Sequence, residues 1–197
     1  MDLLIYLNAL TALFVIIDPI GVALIFHTLI RSDSYRVRAA TAIKAGLISV
    51  VLLVLFGNYG EALLGQLGIS IHALRISGGL LLFYTAFNMI TNEVSFDPSD
   101  NAKDISVFPL SIPLQAGPGS LTVCILLFSN ASTTLHQLTI AAAVVSVCGL
   151  SVVLMILAKN VKKIIGRIGD EILRRFLGVL LAALAIQFIM DGVAGVS

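Results

Sequence analysis

The chain has 197 residues, 58% of them hydrophobic and 12% charged, with a formal net charge of +1 and a mean hydropathy of +1.05. A soluble domain of this size could not cover so much apolar surface with so few charges, which leaves an integral membrane protein. The near-neutral balance itself says little about partners; no nucleic acid is expected among them.

A bilayer core of about 30 Å needs about 20 apolar residues per helix. The first segment that meets this, residues 3–30, is too long for one straight span and is interrupted by Asp18-Pro19-Ile20-Gly21. Proline cannot donate a backbone hydrogen bond and pushes its predecessor out of helical conformation. Asp18-Pro19 is also a good helix start, with the acid as N-cap and proline at the first helical position. A broken, partly unwound first span is expected.

Asp18 is the one carboxylate far from both ends of a span, and an intramembrane acid is a functional hypothesis by default. It can carry a proton, pair with a substrate ammonium, or simply cap its own helix; the sequence leaves all three open.

The second and third spans are read at 39–58 and 69–91. Arg75, two turns into the third, is the single cation away from the basic loops, and it reads as a snorkelling residue or as a gate. Asn88 lies late in the same span and reads as lining a polar path or bonding across helices. Residues 92–106 form a linker with Glu93, Asp97, Asp100 and Asp104 around Pro98. They divide the chain into a three-helix unit at 1–95, a connector at 96–106 and a second unit at 107–197.

The fourth span, 107–130, is broken by Gly117-Pro118-Gly119-Ser120, with Gln115 just before; Pro118 follows Pro19 by 99 residues. A fifth span at 137–158 and a sixth at 172–192, carrying Gln187, complete the set. Between them, Lys159, Lys162, Lys163, Arg167, Arg174 and Arg175 flank an amphipathic stretch suited to anionic headgroups. Eleven of the twelve basic residues fall on one side of these spans. The positive-inside bias then puts the basic loops in the cytoplasm and both termini outside an inner membrane. Cys124 and Cys148 lie in apolar runs and read as buried thiols. His27, His72 and His136 have no metal-ligand spacing, so neither metal nor cofactor is expected.

Three spans per half make the second half start from the opposite side, so a repeat would be inverted. The two proline breaks support one. So does a second match, with a one-residue gap, of Gly65 to Gly68, Arg75 and Gly78 with Gly166 to Gly169, Arg175 and Gly178. Each break would leave a half-helix whose N-terminus carries free N–H groups and partial positive charge within the membrane. Two such ends would suit a carboxylate. The expected substrate site is therefore Asp18, Pro19, Ile20, Gly21, Gln115, Gly117, Pro118, Gly119 and Ser120, with Asp18, Arg75, Asn88 and Gln187 as coupling or gating candidates.

Asp18 to Gly21, Arg75 to Gly79, Pro113 to Ser120 and Gln187 with Asp191-Gly192 resemble the MarC family of bacterial and archaeal membrane proteins over essentially the whole chain. The resemblance implies six transmembrane helices in two inverted three-helix repeats, distantly similar to LysE-type exporters. Some members, the SnatA type, are transporters of small neutral amino acids such as glycine and alanine. The expectation is a secondary transporter of that kind, coupled to protons or sodium, able to self-associate, and not an enzyme. The rivals are a permease for another metabolite and a non-transporting scaffold or regulatory subunit.

Overall fold

A computed structural model describes residues 3–30, 34–91 and 104–195. Within them the chain is helical and without strands. The order is α1 (Leu3–Ile17), α2 (Pro19–Leu29), α3 (Tyr35–Gln66), α4 (Ile71–Thr91), an irregular segment of wide turns (Ser106–Gln115), α5 (Pro118–Ser129), α6 (Thr134–Ile156) and α7 (Ala158–Ala194). Five helices among the described residues are long and apolar enough to cross a bilayer, and six spans result when the irregular segment and α5 count as one. Glu93, Asp97, Pro98 and Asp100 of the linker, and the boundary placed at 95–96, lie outside the described residues.

The first break is slighter than expected. Asp18 alone leaves helical geometry, with φ 47° and ψ 68°. The ladder ends and restarts at this residue: the Asp18 N–H closes α1 on the Phe14 carbonyl at 3.0 Å, and the Val22 N–H opens α2 on the Asp18 carbonyl at 2.9 Å. Residues 3–29 still make one long apolar span, with the break confined to Asp18. The second break is deep. The irregular segment and α5 meet at 57° across Ala116 and Gly117, which leave helical dihedrals; within the segment Phe108 and Ile112 are extended, as residues ahead of proline often are. Helix α7 also departs from expectation. It joins the basic stretch to the last span in one helix, turning at Gly166, where φ is 65°.

Helix starts recur at a fixed interval. Pro19 and Pro118 open α2 and α5, and Tyr35 and Thr134 open α3 and α6; each second member lies 99 positions after the first. Close packing follows small residues, as it must where lipid supplies no hydrophobic drive between helices. Helices α4 and α7 share the most extensive contact. A Cβ on Gly79 would come within 2.7 Å of both the Ala185 carbonyl oxygen and Ile189, and one on Gly178 within 2.9 Å of Ile90 and 3.2 Å of the Ala86 carbonyl oxygen. Contacts that climb α4 descend α7, so the two helices are antiparallel.

The main core gathers Leu13, Ile17, Leu53, Leu82, Val123, Phe128, Val144 and Leu181. A smaller one holds Val22, Phe26, Ala45, Leu110 and Met155. Leu47, Val51, Leu55, Phe83 and Val179 point outward, an apolar exterior that lipid solvates without cost.

Candidate functional site

The two breaks face a common cavity of about 720 Å³, within the range of small-molecule sites. Asp18, Gly21, Gly117, Pro118, Gly119 and Ser120 form its deep end. From there it runs along Leu82, Thr85, Asn88 and Met89 of α4 and Ile25 of α2 to Arg174 on α7.

Chemistry at the deep end follows from local folding. Asp18 is the N-cap of α2 and accepts a hydrogen bond from the Gly21 N–H at 3.0 Å. A Cβ on Gly21 would sit 2.2 Å from Asp18 Oδ2, so the carboxylate keeps this position only beside a glycine. Pro19 occupies the first helical position, where a missing N–H costs nothing. The carboxylate thus caps its own helix and also borders the cavity. On the opposing side Gly117 is the N-cap of α5 and offers backbone alone, with no side-chain cap hydrogen bond. The Ser120 hydroxyl instead donates back to the Gln115 carbonyl at 2.7 Å. An acid and an uncapped, partially positive helix end therefore border one space.

The segment that sets α5's angle is fastened to α3. Ser111 Oγ lies 2.9 Å from the Ala45 carbonyl oxygen and 2.6 Å from that of Ser106. Ahead of it Asp104 pairs with Lys44 and accepts from the Ser106 N–H at 3.0 Å. The Lys44 ammonium first, then the Ser106 hydroxyl, hold its carboxyl down at about 2.

Not every expected residue lies in this cavity. Pro19 is buried and Ile20 half-buried, and neither borders the cavity. Gln115 is fully buried, and neither polar atom of its amide has a partner. Arg75 and Gln187 sit at the other end of the bundle. A Cβ on Gly192 would come 3.2 Å from that of Arg75, and Gln187 donates to Asp191 Oδ1 at 2.7 Å. Asn88 is the one gating candidate besides Asp18 that borders the cavity. His136 lies near a helix start, its Nδ1 3.0 Å from Ser132 Oγ, and both thiols are buried.

Arg174 was not anticipated. The gapped sequence match pairs Arg75 with Arg175, but Arg175 is exposed and bonded to Glu171 along its own helix. Counting 99 from Arg75, the interval of the prolines, lands on Arg174.

A sequence profile described as MarC family integral membrane protein matches residues 3–197. The chain belongs to the MarC family. The MarC match has full-length company among relatives bearing the name UPF0056 membrane protein. One from Archaeoglobus fulgidus is 35% identical over 98% of this chain and 96% of its own. Another from Methanocaldococcus jannaschii is 31% identical over 99% and 98%, and YvbG of Bacillus subtilis is 30% identical over 93% and 92%. No solved structure matches the chain. This MarC-family chain is thus an integral membrane protein with several apolar helices.

Proposed function

We propose that the protein is a secondary transporter of small zwitterions, with glycine and alanine as first substrates, working by alternating access. The observation that carries this reading is the cavity, in which the Asp18 carboxylate and the uncapped start of α5 border the same space. A carboxylate settles at the helix end and an ammonium at the acid. The 99-residue recurrence of helix starts and the antiparallel α4–α7 pair support two inverted three-helix repeats, the architecture in which one half rocks against the other. The basic loops lie in the cytoplasm of an inner membrane, both termini outside, and the cavity faces inward. Coupling runs through a proton on Asp18 or a sodium ion on irregular backbone carbonyls. A scaffold or regulatory subunit has no use for a cavity between its two halves that holds an acid and a helix start, and we read the chain as no enzyme.

Radiolabelled uptake into proteoliposomes tests the reading. Glycine or alanine flux is expected in the native protein and is lost in Asp18→Asn with the fold retained. Flux of a different metabolite class alone makes the protein a permease of other specificity. No flux across a broad solute panel defeats the transport reading.

A further inference from the structure

The interval of 99 residues assigns more than helix starts. Gly79 packs on the Ala185 carbonyl and Ile189, and Gly178 packs on the Ala86 carbonyl and Ile90. Adding 99 to 79, 86 and 90 gives 178, 185 and 189, so the two sets of contacts are one set seen from each half. The cavity residues can therefore be carried across by the same count. Ile16 maps to Gln115, Thr85 to Leu184, Asn88 to Gln187 and Arg174 to Arg75; Asp18 and Gly117 exchange places, as do Gly21 and Ser120. Two of these counterparts are now closed off. Leu184 is packed against the main core and Gln115 is sealed in; Arg75 is half-buried beside Gly192, while Gln187 is exposed and bonded to Asp191 along its own helix.

We propose that these residues are a second vestibule in its closed form, opening to the opposite face of the membrane when the present cavity shuts. Gln115 is its polar wall, and Arg75 is its mouth, as Arg174 is the mouth of the open one. The sealed amide of Gln115 is the independent sign. A buried polar group without a partner is rare and calls for an explanation. An amide that meets solvent or solute in the alternate state supplies one. Each arginine stands on the path of a solute carrying a carboxylate, so the ligand class is a carboxylate-bearing zwitterion at both faces. The inference rests on the transport reading and adds the residues of its second state.

Single cysteines in a background lacking both native thiols (Cys124→Ser, Cys148→Ser) test it, in liposomes of known orientation with a membrane-impermeant thiosulfonate. Thr85→Cys is modified from the face of the basic loops, and Leu184→Cys from the opposite face. In parallel, Arg174→Gln raises the half-saturating glycine concentration roughly tenfold on the basic-loop face, the worth of one charged hydrogen bond. Arg75→Gln does so on the opposite face. Leu184→Cys modified from the same face as Thr85→Cys overturns the proposal even where glycine flux is intact. So does Leu184→Cys left unmodified while Thr85→Cys reacts to completion. Should Leu184→Cys fail to fold, the arginine variants decide alone: both shifting the same face, or Arg75→Gln shifting neither, overturns it. Loss of flux for every solute in the native protein strikes the transport reading instead.

Discussion

The two proline breaks begin alike and end differently. Each places proline at the first helical position, and each is followed by a glycine or serine that borders the cavity. At Asp18 one left-handed residue separates two helices that still form a single span. At Gly117 a ten-residue irregular segment swings into α5 at 57°. The first break caps itself with a carboxylate; the second has no side-chain cap. Opposite polarity at equivalent positions is what a dipolar solute requires, and an anion or cation site would have needed only one of them. On the proposed transport reading, the difference between the halves, more than their likeness, carries the specificity.

Removing that difference should have the largest effect. Asp18→Asn keeps an N-cap of nearly equal quality but leaves the deep end without its negative charge. Glycine flux is expected to fall about 100-fold, the upper worth of a charge-assisted hydrogen bond, while the melting temperature of the purified protein moves little. Flux within twofold of native would show that Asp18 serves its helix alone. Asp18→Ala, lacking the cap as well, should lose about 1 kcal/mol of stability in addition.

The glycines at the breaks sharpen the contrast from the packing side. A Cβ on Gly117 would lie 2.3 Å from the Pro113 carbonyl oxygen, and one on Gly21 would lie 2.2 Å from Asp18 Oδ2. The gaps match, but the obstacles do not, since a backbone carbonyl cannot turn away and a carboxylate can. Gly117→Ala should therefore destabilise by about 3 kcal/mol and Gly21→Ala by about 1 kcal/mol, the two ends of the overpacking range. Thermal melting in detergent ranks them. Gly21→Ala should lose flux out of proportion to its stability, because the displaced carboxylate is the one the solute meets. Equal melting losses would mean that both breaks are equally rigid.

Membrane class and span positions were legible in the sequence because length and hydropathy report them directly. Asp18, Gly117 and Ser120 were legible as a site because proline and glycine mark where backbone must leave a helix. The depth of each break was not. It depends on the dihedrals at Ala116 and Gly117 and, inside the irregular segment, at Phe108 and Ile112 ahead of two further prolines, residues without polar side chains to flag them. Arg174 was missed for a different reason. One of two adjacent arginines had to be chosen, and the choice turns on which face of α7 meets α4, a matter of packing against Ala86 and Ile90. Gln115 was chosen for its polarity. What the sequence could not supply was that its amide is shut away without a partner.

The smallest expected effect concerns what steadies the second break and has no counterpart at the first. Asp104 ties the start of the irregular segment to Lys44 on α3 and to Ser106. Its carboxyl is held at about 2 against an ordinary 3.8, chiefly by Lys44. A carboxyl whose folded value is depressed contributes stability that is fully present above its unfolded value and is lost as pH falls through its folded one. The tether is therefore intact at pH 7 and fades between about 3.8 and 2. Both side chains are about half exposed, so solvent screening holds the contribution to at most about 1 kcal/mol. Asp104→Asn should lower the melting temperature by a few degrees at pH 7, and the gap from the native protein should close as pH approaches 2. A gap that persists unchanged at pH 2 would trace the effect to the hydrogen bonds with Ser106 and not to charge. The bend before α5 would then be set by the serine and proline framework alone.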